Sequence, residues 1–154
     1  MKPTNAKKCW IHKETKELTI AKPAILSKFY ACDSMLEGKT LLSLMRNVEK
    51  PHTIMLHPTI TIFNFQSDEL LKDFGKLNKW KPDFLITREV ADGVTKQCIV
   101  EVKGRVLHPF PYQYALCRRF HPNVPIIVVR TESGIPTAMG QVKKVLANAV
   151  GIQD

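Results

Sequence analysis

The stretch of residues 80–104 constrains the fold most, because it reads as two apolar strands joined by a turn. Asp83 lies near the start of the first strand, and Glu101 and Lys103 lie at the end of the second. The turn-forming pair Asp92-Gly93 lies between them. Side chains alternate between the two faces of a strand, so Glu101 and Lys103 share one face. The stretch therefore predicts a β-hairpin that brings two carboxylates and an ammonium group together.

The chemistry of these side chains favours a divalent metal ion and a phosphodiester. Mg²⁺ prefers oxygen ligands and usually takes one or two carboxylates, here those of Asp83 and Glu101, and the carbonyl group of Val102 is a further candidate ligand. A bound ion lowers the pKa of its water and stabilises charge on a phosphate, and Lys103 would orient that water. The alternative is structural, since a Glu-x-Lys pair on a strand also forms an ordinary surface ion pair.

A second acidic candidate precedes the hairpin. Ser34 and Glu37 have the spacing of a capping box, which predicts that a helix begins here. Glu37 also lies on the apolar stripe of that helix, with Leu41, Leu44 and Val48 at helical spacing. Two interpretations of Glu37 are therefore open: its carboxylate caps the helix, or it faces a site.

The other elements are predicted from hydrophobic periodicity and from turn residues. A helical region begins at Pro23 and runs to about residue 48, and a β-branched, aromatic strand covers residues 57–65. A helix over residues 112–120 precedes an apolar run at 123–129, which is typical of a strand buried on both faces. Thr137 is predicted to cap the last helix. This order predicts an α/β fold with a central mixed β-sheet flanked by helices on both sides.

The charge of the chain favours a polyanionic partner. The formal net charge is +9 over 154 residues, and the pI is near 9.5. Binding of phosphates by basic side chains releases condensed counterions, so DNA is the expected partner. A generally basic, solvated surface is one alternative, and a small ribosome- or RNA-associated protein is another.

The length of the chain predicts one domain. Residues 1–22 are polar and lysine-rich and are predicted to form a basic arm, and residues 23–154 are predicted to form the domain. No apolar run approaches the ~18 residues that cross a bilayer, so we expect no membrane contact and a cytoplasmic location. Cys9 and His12 have the spacing of half a zinc site, but no second pair follows, and the cysteines are expected to be reduced.

These motifs together resemble a known superfamily. Pro82-Asp83 followed by Glu101-Val102-Lys103 resembles the PD-(D/E)xK nucleases. The preceding Ser34-x-x-Glu37 helix and the strand that follows Pro58 narrow the resemblance to the N-terminal nuclease domain of TnsA-like transposon endonucleases and to similar small phage endonucleases. The resemblance covers residues 24–130.

The resemblance implies a restriction-endonuclease-like fold and a Mg²⁺-dependent endodeoxyribonuclease, with Mn²⁺ able to substitute. It implies that Glu37, Asp83 and Glu101 bind the metal and that Lys103 completes the catalytic set. It also implies DNA as the substrate, and a homodimer or a protein partner from a mobile element or phage.

The chain departs from the family pattern in two places. His57 stands where a glutamine is usual before the proline. Residues 131–154 leave no room for the domain through which TnsA proteins contact their transposition partners, so we do not expect a complete transposase. Near Glu37, Tyr30 and Asp33 are rival candidates for the acidic face of the site.

Basic and polar residues that follow the hairpin are expected to contact DNA. Phosphate contacts from such side chains position a protein on the duplex. The alternative for those on the predicted helix is that they are ordinary solvated residues. The candidates are Arg105, His108, Gln113, Arg118 and Arg119.

Two functions therefore compete. The first is a metal-dependent DNA endonuclease that hydrolyses phosphodiester bonds. The second is a catalytically silent DNA-binding or recruitment protein that keeps the nuclease fold. The intact set of Asp83, Glu101 and Lys103 favours the first.

Overall fold

A computed structural model describes residues 7–62, 72, 78–104 and 110–147. This part of the chain forms three small β-sheets and three α-helices. The strands are β1 (Cys9–His12), β2 (Leu18–Thr19), β3 (Phe29–Cys32), β4 (His52–Leu56), β5 (Ile60–Thr61), β6 (Lys79–Trp80), β7 (Phe84–Ala91), β8 (Val94–Val102) and β9 (Ile126–Val129). The helices are α1 (Met35–Asn47), α2 (Phe110–Phe120) and α3 (Ile135–Val145).

The central sheet is built on the predicted hairpin. Strands β7 and β8 pair antiparallel, with Phe84 opposite Val100. Gly93 in the connecting turn has φ +68°, a conformation that glycine adopts at little cost. Strand β4 pairs antiparallel with β7, and β9 pairs parallel with β8, so the order is β4-β7-β8-β9 and the sheet is mixed. The hairpin and the mixed α/β sheet are confirmed.

Helices cover both faces of this sheet. Val100 and Val129 face one side, where they belong to a core cluster with Leu44 of α1 and Val142 of α3. The neighbouring Ile99 faces the other side, where it clusters with Phe110 and Cys117 of α2 and with Trp80 of β6. The alternation of side chains along β8 thus divides the core into two layers.

The N-terminal region differs from its prediction. Residues 9–12 form a strand between β2 and β3, and Cys9 and Ile11 are fully buried in the main core. The described residues up to 22 are therefore not an arm, and residues 1–6 lie outside the described part. The helix predicted to begin at Pro23 is also wrong, because a 3-10 turn at Leu26–Lys28 leads directly into β3.

Three further boundaries differ from the predictions. The strand that joins the central sheet is His52–Leu56, and only Ile60–Thr61 of the predicted strand at 57–65 is extended in the described part. Strand β9 is only half-buried, since Ile126 and Val128 are partly exposed. The last helix begins at Ile135 after Gly134, not at Thr137, and Ala149 of its predicted stripe lies outside the described residues.

Helix α1 begins as predicted. The side chain of Ser34 accepts a hydrogen bond from the Glu37 N–H and so caps the helix. The predicted stripe is buried, with Leu41 and Leu44 at 1 % and 0 % exposure. Gly38 lies where this helix crosses β1, and a Cβ atom there would clash with Cys9 Sγ. Among the described residues, no helix has the length and apolar content that a membrane span requires.

Candidate functional site

The candidate site lies at one end of the central sheet. Strand β4 ends, β7 begins and β8 ends at this same end of the sheet, because β7 is antiparallel to both of its neighbours. The residues just beyond these strand ends are His57, Asp83 and Lys103. The loop before α1 adds Asp33, and the first turn of α1 adds Glu37.

Asp83 and Glu101 hold each other in place through the backbone. The Asp83 N–H donates to Glu101 Oε2 at 2.9 Å, and the Val102 N–H donates to Asp83 Oδ2 at 2.7 Å. Each carboxylate thus uses one oxygen to bind the opposite strand. Glu101 Oε1 is buried and takes no part in these backbone hydrogen bonds. The strands therefore fix both carboxylates and leave Glu101 Oε1 facing the Lys103 ammonium group.

Lys103 supplies the positive charge beside this pair. Its Nζ lies 2.6 Å from Glu101 Oε1, which makes an ion pair, and 5.5 Å from the centre of the Phe110 ring at the start of α2. The Lys103 side chain is one-third exposed, whereas that of Glu101 is buried. The ammonium group thus lies between a buried carboxylate and solvent. Asp83, Glu101 and Lys103 come together as the hairpin predicted.

The two carboxylate oxygens of Glu37 have different surroundings, and each bears on one of the two interpretations left open by the sequence. Oε2 accepts a hydrogen bond from the Asp33 N–H at 3.0 Å and so stabilises the start of α1. Oε1 lies 2.7 Å from His57 Nε2, and neither atom has a hydrogen-bond partner in the described part of the chain. Glu37 therefore caps its helix and also turns one buried oxygen towards the strand ends.

His57 links the Glu37 side of the site to the Asp83 side. Its Nε2 lies 3.9 Å from Asp83 Oδ1 and 3.9 Å from Asp33 Oδ2. The His57 N–H donates to the Asp83 carbonyl group at 2.9 Å. His57 has φ +47°, which is uncommon for a residue other than glycine and is typical of positions held by their surroundings.

The electrostatics of the site favour an added positive charge. Burial, together with the nearby Asp83, raises the pKa of Glu37 from 4.5 to about 7. Burial also raises the pKa of Asp83, although the Val102 N–H and Lys103 oppose this. Burial and the charge of Asp83 raise the pKa of Glu101. All three shifts have the same origin: carboxylates removed from water and placed near one another disfavour their charged forms.

The described residues among those predicted to contact DNA do not join this cluster. Gln113 on α2 donates to the Lys79 carbonyl group at 3.1 Å, so its amide supports β6. The Arg118 guanidinium lies over the Tyr114 ring at 5.6 Å, and Arg119 is exposed. Arg105 and His108 lie outside the described residues.

Two weaker candidates are also separate from the cluster. The Cys9 thiol donates to the Ser34 carbonyl group, whereas His12 Nδ1 accepts from the Glu14 and Thr15 N–H groups. The half zinc motif therefore does not assemble. The Tyr30 ring packs against the core and under the Lys13 ammonium group.

Sequence reasoning missed His57 as a member of the site and underrated Asp33. Asp33, Glu37 and His57 each offer one ligand atom, and these atoms lie within 4.8 Å of one another. A signal for His57 was present, since an imidazole directly before Pro58 replaced the usual glutamine of the resembled family. Its proximity to Glu37 depends on β4 lying beside β7, which no local pattern indicates.

Comparisons of this chain with protein-family models, curated proteins and solved structures found no match. The chemistry of the site is therefore inferred from its own geometry. Its donors are hard carboxylate oxygens with one imidazole nitrogen, and the buried Oε1 of Glu37 lacks a hydrogen-bond partner among the described residues. This donor set fits a divalent cation.

Proposed function

We propose that the protein is a metal-dependent endonuclease that hydrolyses phosphodiester bonds in DNA, on a PD-(D/E)xK-like nuclease fold. The observation that carries the proposal is the convergence of three carboxylates at one end of the sheet, those of Glu37 and Glu101, which are buried, and that of Asp83, which is 15 % exposed. Within the described ranges, Lys103 is the only lysine or arginine in ion-pair contact with them. Buried carboxylates are normally paired or bound to metal, so this excess of negative charge supports a cation site.

The residues that would hold Mg²⁺ are Asp83 and Glu101, with the Val102 carbonyl group and Glu37 as further ligands. Mn²⁺ would serve as a substitute. A bound ion lowers the pKa of a coordinated water and stabilises negative charge on a phosphate. The hydrogen bonds between Asp83 and the opposite strand hold the carboxylates in place before substrate arrives, which is what precise positioning requires.

Lys103 has two tasks in this proposal. Its ammonium group, which is partly open to solvent, donates a hydrogen bond to the attacking water and orients it towards the phosphorus atom. It also balances the charge that builds on the phosphate oxygens in the transition state. Glu101 fixes the position of this ammonium group through the 2.6 Å ion pair.

The charge of the whole chain supports DNA as the substrate. A formal net charge of +9 attracts a polyanion and speeds encounter with it. Arg118 and Arg119 lie in the last turn of α2, the helix that begins beside Lys103. They remain our candidates for phosphate contacts next to the site, together with Arg105 and His108.

The test is cleavage of supercoiled plasmid by the full chain with Mg²⁺ or Mn²⁺. We expect Asp83→Asn and Lys103→Met each to reduce the rate by roughly 100-fold or more, since each removes a group that acts on the transition state. Chelation of the metal should abolish cleavage. Lys96→Met is the matched control, because Lys96 lies on β8, the strand that Lys103 follows, but donates to the Ala147 carbonyl group away from the site.

Equal cleavage by the wild type, Asp83→Asn and Lys103→Met would contradict the proposal, since it would identify a contaminating nuclease. DNA binding by the wild type without cleavage of plasmid, nicked or branched DNA would instead favour the recruitment protein. Reduced cleavage in Lys96→Met equal to that in Lys103→Met would show that general loss of charge, not the site, is responsible.

A further inference from the structure

We propose that Asp33, Glu37 and His57 form a second cation position, beside the Asp83–Glu101 carboxylates, that takes a transition-metal dication through the His57 imidazole. The ligand atoms of these three residues lie within 4.8 Å of one another. The predicted magnesium ligands include neither Asp33 nor His57. The second position thus extends the site towards the loop before α1.

The spacing of the donor atoms fits one ion. In an octahedral site with bonds of about 2.1 Å, neighbouring ligands lie about 3.0 Å apart and opposite ligands about 4.2 Å apart. His57 Nε2 lies 2.7 Å from Glu37 Oε1 and 3.9 Å from Asp33 Oδ2, so both separations fall near this range. The two atoms of the first pair do not form a hydrogen bond with each other.

Two buried atoms that lack hydrogen-bond partners indicate that a ligand binds here. The Glu37 side chain is 3 % exposed, and its Oε1 has no hydrogen-bond partner among the described residues. The Nε2 atom of His57 is also buried without such a partner. Asp33 keeps Oδ2 on the His57 side, while its Oδ1 lies 3.7 Å from the exposed Lys8 ammonium group. One ion would satisfy all the free atoms together.

The identity of the donors selects the class of metal. Carboxylate oxygens suit Mg²⁺ and Mn²⁺, whereas an imidazole nitrogen raises affinity for later transition metals. His57 adds this nitrogen at a position fixed by its backbone hydrogen bond to Asp83. Asp83 Oδ1 lies 3.9 Å from Nε2, so Asp83 and Glu37 lie between the two cation positions.

The test uses the full chain, stripped of metal with a chelator and titrated with Co²⁺ in the presence of saturating Mg²⁺. Calorimetry gives the affinity, and the visible absorption of bound Co²⁺ reports a change of ligand. His57→Asn removes the imidazole and keeps a residue that tolerates positive φ. His52→Asn is the matched control, because its ring contacts the Glu49 carbonyl group at the other end of β4.

We expect Co²⁺ to bind the wild type and His52→Asn equally and His57→Asn at least ~10-fold more weakly, with an altered spectrum. Asp33→Asn should also weaken binding, and it decides the case if His57→Asn fails to fold, because the Asp33 side chain is 69 % exposed. Wild-type affinity and spectrum in both His57→Asn and Asp33→Asn would overturn the proposal. The role of this ion in cleavage rests on the proposed function, whereas its binding is measured without DNA, so the two proposals fail separately.

Discussion

The β7–β8 hairpin carries buried charge in two places, and the two places differ in how far neighbouring groups balance that charge. Away from the candidate site, Arg88 is 5 % exposed, yet its guanidinium donates to the Leu146 carbonyl group at 2.6 Å and to Glu49 at 2.8 Å. Leu146 is the C-cap of α3, so the Arg88 guanidinium also lies at the negative end of a helix dipole. The charge of Arg88 is therefore balanced by the protein itself, and it ties the end of α3 to the sheet.

At the acidic end of the hairpin, by contrast, Lys103 pairs with only one of the carboxylates, that of Glu101. Three carboxylates are brought together, and burial raises the pKa of each. The contrast teaches how to separate a structural buried charge from a candidate functional one. A structural charge has partners of opposite sign within the fold, whereas a functional cluster holds charge that the fold alone leaves uncompensated.

The largest expected effect concerns the balanced charge. Arg88→Met should lower the free energy of unfolding by about 3 kcal/mol, because the Leu146 carbonyl group loses its donor and α3 loses a tie to β7. Urea denaturation of the metal-free protein measures this change. Arg46→Met, on the exposed face of α1, is the control and should change stability by less than about 0.5 kcal/mol. Equal losses in the two variants would contradict the structural role of Arg88.

Added metal should raise the free energy of unfolding only through the carboxylates at the acidic end of the hairpin. At an Mg²⁺ concentration 100 times the measured Kd, unfolding should cost about 2.7 kcal/mol more, since the ion binds the folded state. Arg88→Met should gain as much as the wild type, because its substitution leaves the carboxylates in place. The double variant Asp83→Asn, Glu101→Gln should gain little. An equal gain in the double variant would locate the ion elsewhere.

The smallest expected effect is a gain in the free energy of unfolding, whereas Arg88→Met causes a loss. The pKa of Glu37 is raised from 4.5 to about 7, so the folded protein keeps a proton that the unfolded chain releases. Its contribution to metal-free stability is therefore present at low pH and is lost as pH rises through this window. Glu37→Gln should remove this loss and raise stability at pH 8 by about 1–2 kcal/mol, opposite in sign to Arg88→Met.

Urea denaturation between pH 4 and 9 with a chelator present tests this prediction. The free energy of unfolding of Glu37→Gln should still depend on pH, since the pKa values of Asp83 and Glu101 are also raised. A variant that is less stable than the wild type at every pH would show that Glu37 serves chiefly as a helix cap.

The elements predicted correctly are those defined by local pattern. The hairpin follows from two apolar runs around Asp92-Gly93, and the start of α1 follows from the spacing of Ser34 and Glu37. Both depend on contacts between residues close in sequence. The helix predicted from Pro23 failed because Phe29–Cys32 pairs with β1, and this pairing between separated segments overrides local preference.

The residues of the candidate site also divide into those that a local pattern predicts and those that only contacts between distant segments bring together. Asp83, Glu101 and Lys103 were predictable together because antiparallel pairing of one hairpin sets their register. Glu37 was predictable as buried, but not as a neighbour of an imidazole. His57 was missed because the strand was predicted over residues 57–65, which made His57 its first residue, whereas β4 ends at Leu56 and His57 follows it at the end of the sheet.

The sequence by itself determined the hairpin, the capped helix, the α/β class and the acidic residues that converge. These features depend on side-chain periodicity, capping and turn chemistry, which act over a few residues. Only the tertiary structure decided that β1 belongs to the core and that β4 ends beside Asp83. It also decided that His57 turns towards Glu37, since such contacts between distant segments depend on how whole strands and helices pack.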